Sequence, residues 1–78
     1  MLLEHDRVVL TAPIESDGLM PGDVGTIVHV YRHAMAYEVE FLMLDGTTVC
    51  VATVPPTSMR PITSRDLTHA RPLEYVGT

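Results

Sequence analysis

Apolar and polar side chains alternate most cleanly at Tyr37-Glu38-Val39-Glu40-Phe41, where the residues between the apolar positions are carboxylates. A period of two belongs to a strand with one buried and one wet face, which predicts a strand over Ala36–Leu42. The other apolar runs are less one-sided. Arg7-Val8-Val9-Leu10-Thr11 is rich in β-branched residues and reads as a first strand. A second is predicted from Val24 to Tyr31, with Val28 and Val30 on one face and Ile27, His29 and Tyr31 on the other. A fourth, Thr48–Val54, is apolar on both faces, Val49 and Val51 against Cys50, Ala52 and Val54. Arg60-Pro61-Ile62 makes a short fifth. The expected core is Val28, Val30, Val39, Phe41, Val49 and Val51.

Turn chemistry separates these runs. Pro21-Gly22 suits the two central positions of a type II turn, because proline presets φ and only glycine takes φ > 0 cheaply. Gly25 then falls inside a strand, where glycine marks a bulge or a close backbone approach. Asp45-Gly46 turns the chain between the third and fourth strands. Ala12 to Met20 is a loop long enough to need an apolar anchor, for which Leu19 is placed. Pro55-Pro56 ends the fourth strand, since neither residue can donate to a ladder, and Thr57-Ser58-Met59 fits a single 3₁₀ turn. After Ile62 the character changes. Thr63-Ser64-Arg65-Asp66 carries a capping-box pattern, predicting a turn or two of helix before Pro72, and Leu73-Glu74-Tyr75-Val76 has strand-like composition. The expectation is an all-β, small SH3-like barrel of about five strands over residues 1–62, with a C-terminal arm over 63–78.

Size sharpens this. A chain of 78 residues has room for one small core, and a domain of this length buries only about 60% of its unfolded surface, so association is a common source of further stability. With no Trp and one Phe, that core must be aliphatic. All five basic residues are Arg, against ten Asp and Glu, for a net charge of −5. Nucleic-acid affinity comes mainly from basic side chains neutralising phosphates, so this balance argues against it. The lone Cys50 sits among Val49, Val51 and Ala52, where a buried, reduced thiol is expected. The N-terminal residues lack a basic stretch followed by a long apolar run, and no segment nears the ~18 apolar residues of a membrane span. A cytoplasmic location is expected.

Arg7-Val8-Val9-Leu10, Gly18-Leu19, Gly22-Asp23-Val24-Gly25-Thr26, His29-Val30-Tyr31, Ala36 to Phe41 and Met59-Arg60-Pro61 together resemble DUF4926, a family of small bacterial domains of unknown function. Gly25 with Tyr37-x-Val39-x-Phe41 is also similar to the SH3-like barrel domain of the nitrile hydratase beta subunit, a likeness that implies fold alone. The resemblance spans roughly Asp6 to Ile62 and brings no catalytic residues. Two departures stand out. His33-Ala34-Met35 occupies what is usually a glycine-containing turn, and Met43 replaces a normally polar residue.

The candidate chemistry is sparse. His29 and His33, four apart on a strand and its following turn, do not share a face as they would on a helix, and His5 and His69 are remote in sequence; no metal site or cofactor is expected. Glu38 and Glu40 share a strand face about 7 Å apart, but they read as its wet side and discourage edge pairing. Cys50 has no basic sequence neighbour to activate it. The Gly22–Gly25 run is followed by a strand, so it is no phosphate loop. Arg60, Arg65 and Arg71 with Tyr31, Tyr37 and Tyr75 define the alternative reading, a KOW- or Tudor-like nucleic-acid surface.

The apolar surplus says more. Two strands are apolar on both faces, and Met20, Met35, Met43 and Leu44 add apolar loop residues, a pattern of contact surfaces. Ile27, Tyr31, Met35, Met43, Leu73, Tyr75 and Val76 are the candidate interface; Gly22, Gly25 and Gly46 are structural. The expected function is a non-enzymatic protein-interaction module. It would self-associate, most simply as a dimer through its arm, and bind an unidentified protein as an antitoxin-like or accessory subunit.

Overall fold

A computed structural model describes residues 2–73. Five antiparallel strands form one sheet: β1 (Arg7–Leu10), β2 (Val24–Val30), β3 (Tyr37–Leu42), β4 (Thr48–Val54) and β5 (Met59–Pro61). Their spatial order is β4-β3-β2-β1-β5. Strands one to four are a simple meander, and the chain then returns to lay β5 on the far side of β1. This is the order of an SH3-like barrel, left open among the described residues, where β4 and β5 share no ladder. All five strands nonetheless contribute to one core cluster, built on Val8, Leu10, Ile27, Val39, Phe41, Val54 and Met59, with Leu19 plugging it from the loop before β2. No helix among the described residues is long and apolar enough to cross a membrane.

β3 matches its sequence pattern, with Tyr37, Val39 and Phe41 buried and Glu38 and Glu40 on the other side. Burying a side chain such as Phe41 contributes roughly 1.5–3 kcal/mol. β2 does not keep one alternation. Ile27 pairs with Val39 but His29 pairs with Glu38, so Val28 is an extra, bulged residue. The bulge flips the strand's faces midway. Ile27 is therefore fully buried rather than on the outer face, and Val28 is 38% exposed rather than in the core. Val30, beyond the bulge, packs against the core as expected.

A second irregularity sits at the other end of β3, where Phe41 pairs with Cys50 but Leu42 pairs with Thr48. Val49 is the extra residue and packs partly against the core. The inward side of β4 is Cys50, Ala52 and Val54, whereas Val51, expected inside, is 52% exposed.

The arm also departs from expectation. Asp66 accepts from the Thr63 backbone N–H at 2.7 Å, as a capping residue would, but only a turn forms there. The same carboxylate is gripped by Arg60 of β5 through hydrogen bonds of 2.7 and 3.1 Å. The few residues before Pro72 are too short a run to nucleate a helix against that grip. The chain instead runs on without regular structure toward the turn that precedes β2.

Candidate interaction surfaces

That turn holds Asp23, the one buried polar side chain among the described residues. Its carboxylate accepts from the Met20 backbone N–H at 2.9 Å, an Asx-type bond closing the Pro21-Gly22 turn. Arg71 then donates to it twice, Nε to Oδ1 at 2.8 Å and Nη2 to Oδ2 at 2.6 Å, while Nη2 also donates to the Gly18 carbonyl at 2.9 Å. The His69 ring lies 3.1 Å from Oδ1. Burial alone would raise the Asp23 pKa, but the Arg71 and Met20 hydrogen bonds, the Arg71 charge and His69 together hold it below the usual carboxylate range.

Gly22 serves this arrangement twice. Its φ of +97° closes the turn, and the His69 ring sits where a Cβ would project, at 3.2 Å. Gly25 is a close approach rather than a bulge: a Cβ there would lie 2.5 Å from the Val39 side chain and 2.9 Å from Phe41. Gly46 turns the β3–β4 hairpin, where Asp45 accepts from the Thr47 backbone N–H, a bond that lowers its pKa.

Between the latched arm and the β3–β4 hairpin lies a cleft of about 800 Å³. Phe41 and Val49 line its core side, Leu42, Met43 and Leu44 the hairpin side, and Leu67 and Leu73 the arm side. Met43, expected at an interface, is thus 43% exposed at this cleft, and Leu44 is 93% exposed. Leu73 is half-buried against its own chain. The described part of the arm folds back on its own sheet; Tyr75 and Val76 lie outside the described residues.

The outer face of β2–β3–β4 is a second surface. Tyr31 donates its hydroxyl to Glu38 Oε2 at 2.7 Å, and Thr53 donates to Oε1 at 2.8 Å. These bonds lower the Glu38 pKa, and the carboxylate in turn raises that of Tyr31. His29 packs edge-on against Tyr31, with centroids 4.8 Å apart. Glu40 accepts from Thr48 at 2.9 Å. Val28 and Val51 are exposed apolar residues on the strands of this face, Leu42 is exposed at the end of β3, and Met35, 73% exposed, sits in the β2–β3 connection.

The remaining candidates are dispersed. Among the described residues no three His, Cys, Asp or Glu side chains are grouped to hold a metal ion. Cys50 is half-buried, and burial, helped by the Asp17 charge, raises its pKa. Arg60 and Arg71 are engaged by Asp66 and Asp23. The role of Asp23 was not legible from its neighbours, because its partners lie 46 and 48 residues further along the chain. The only local signal was an Asp placed to close a Pro-Gly turn.

The fold defines a small all-β domain with SH3-like strand order. The chain belongs to the family described as Domain of unknown function (DUF4926), which matches residues 4–61. The match ends with β5, so the arm that supplies His69 and Arg71 lies beyond it. No curated protein and no solved structure matches the chain.

Proposed function

We propose that this chain is a non-enzymatic protein-interaction module of the cytoplasm that associates with itself and serves another protein as an accessory or antitoxin-like subunit. The accessory role rests on analogy with small stand-alone barrels. The observation that carries the interaction reading is the amount of apolar side chain left outside so small a core. Leu44 is 93% exposed, Met35 73% and Val51 52%, on strands and turns otherwise well formed. Scattered apolar residues are ordinary on a surface; clustering at a cleft rim and along one sheet face supports contact surfaces. The engagement of Arg60 and Arg71 by carboxylates, with a net charge of −5, favours this reading over a phosphate-tracking surface.

Sedimentation velocity of the full chain tests the self-association. A species of twice the 8.6 kDa chain mass is expected at tens of micromolar. A monomer throughout that range overturns the self-association. In-cell cross-linking with mass spectrometry then identifies the second protein, and recovery of this chain with itself alone removes the accessory role.

A further inference from the structure

The two edges of the sheet are unlike. β5 is three residues long, contains Pro61, and is flanked by the arm through the Arg60–Asp66 pair. Short strands, proline and overlying chain are among the means by which an edge is kept from pairing. β4 has none of these three; its one irregularity is the bulge at Val49 near its start, and Cys50–Val54 beyond it is regular. The strand is seven residues long, uncharged and rich in β-branched residues (Thr-Val-Cys-Val-Ala-Thr-Val), and its ladder runs to β3 alone. Among the described residues no backbone hydrogen bond reaches its free side. Half of its N–H and C=O groups point there, as in any edge strand.

We infer that the free edge of β4 pairs antiparallel with β4 of a second copy of this chain, about a two-fold axis through Val51. The inference rests on the self-association proposed above and names its seam. Val51 is the midpoint of the strand, so this register uses its full length. Val51 meets the second copy's Val51, Cys50 meets Ala52, Val49 meets Thr53, and Thr48 meets Val54. No like charges oppose each other anywhere along it, although the chain as a whole carries a net charge of −5. The outer face gains a strip from Val51 and Thr53 of both copies, and the inner face sets Cys50 of one copy beside Ala52 of the other. A two-fold pairing also consumes both open edges. Because β5 is blocked, the assembly closes as a dimer instead of growing into a filament.

The test uses the full chain and the exposed Val51 side chain. Val51→Lys puts two like charges against each other on the axis, while within the chain the new ammonium faces Glu40, its partner on β3. Val51→Glu sets two carboxylates against each other on the axis, and within the chain it also faces the Glu40 carboxylate, so its monomer is expected to melt lower than that of Val51→Lys. Each variant alone should sediment as a folded monomer, with melting checked by circular dichroism, and an equimolar mixture should recover the dimer. A third variant, Val51→Cys with Cys50→Ala, should form an intermolecular disulfide under mild oxidation. Residues opposed in antiparallel strands have Cα atoms about 4.5–5.5 Å apart, inside the range a disulfide spans. A Val51→Lys protein that remains dimeric, or a Cys variant that stays uncross-linked while dimeric, overturns the β4 seam and leaves self-association standing. A monomeric wild-type chain overturns both.

Discussion

Arg71 reaches the carboxylate of Asp23, 48 residues earlier, through hydrogen bonds of 2.8 and 2.6 Å, and thereby fastens the arm to the turn that opens β2. The pair also explains how a buried carboxylate is tolerated in a domain this small. Asp23 keeps its charge because Arg71, the Met20 N–H and His69 satisfy it together. The latch and the β2 turn are therefore one structure, although sequence places them far apart along the chain.

Removing Arg71 should leave Asp23 charged and under-satisfied. Arg71→Ala is expected to cost about 1.5–3 kcal/mol, the range for hydrogen bonds to a charged group. Asp23→Asn keeps an acceptor for Met20 and should cost less. Urea unfolding of the two variants measures this, and an unchanged midpoint for Arg71→Ala would show that the latch carries no stability.

The same carboxylate makes stability depend on acid pH. Its folded pKa lies below the ordinary value, so its contribution is fully present above that value and is lost as pH falls through it toward the folded pKa. The window therefore opens below roughly pH 4. Asp66, also held far below the carboxylate range by its Arg60 bonds, acts in the same direction at the other fastening of the arm. Unfolding midpoints compared between pH 6 and pH 3 should fall less in Asp23→Asn than in the parent. Equal falls would remove Asp23 as a cause.

Much of this architecture was readable from local pattern, and the failures trace to bulges and to a strand apolar on both faces. β3 is regular, so its alternation reported its faces correctly. β2 and β4 each contain one residue that opposes no partner, Val28 and Val49, and a single such insertion reverses the apparent face of the rest of the strand. Ile27 is exchanged between surface and core for that reason, whereas Val51 is misplaced because β4 is apolar on both faces and its alternation does not say which face turns inward. A bulge is set by how neighbouring strands meet, and no residue type announces it. The latch was hidden for a related reason: His69 and Arg71 find Asp23 only after β5 has returned the chain to β1. The open β4 edge could be suspected from its uncharged sequence, but only the strand order shows which strands lie outermost.

The bulges make a sharp contrast testable. Phe41→Ala should cost about 3–5 kcal/mol, enough to unfold so small a domain. Val51→Ala, on the outer face, should change the stability of the folded monomer by less than ~0.5 kcal/mol. Thermal melts at a dilution where the chain is monomeric read both. Comparable losses would mean that the inward side of β4 has been assigned to the wrong residues.

Glycine positions should rank by contact rather than by turn type. Gly25→Ala drives a methyl into Val39, Phe41 and the Glu40 carbonyl, the last 3.0 Å away and part of the backbone. Overpacking of that kind typically costs ~1–3 kcal/mol. Gly46→Ala meets nothing within 4 Å and carries only the strain of a φ near +91°, about 1–2 kcal/mol. Denaturation midpoints should therefore fall further for Gly25→Ala, and the reverse order would refute the close approach.

The β2–β3 connection stores strain that the sequence foreshadowed by lacking glycine there. His33 and Ala34 both take φ > 0, at 59° and 53°, a conformation that costs a residue with a Cβ roughly 1–2 kcal/mol. His33 is exposed, so its replacement changes backbone preference with little change in packing. His33→Gly relieves the strain but loosens the unfolded chain, for a net gain of up to ~1 kcal/mol. His33→Val places a β-branched side chain in the same region and should cost at least about 1 kcal/mol more than histidine, which tolerates left-handed backbone better than most residues. The melting order glycine above histidine above valine is expected. A valine variant as stable as the parent would mean that the turn relaxes to negative φ and stores no strain.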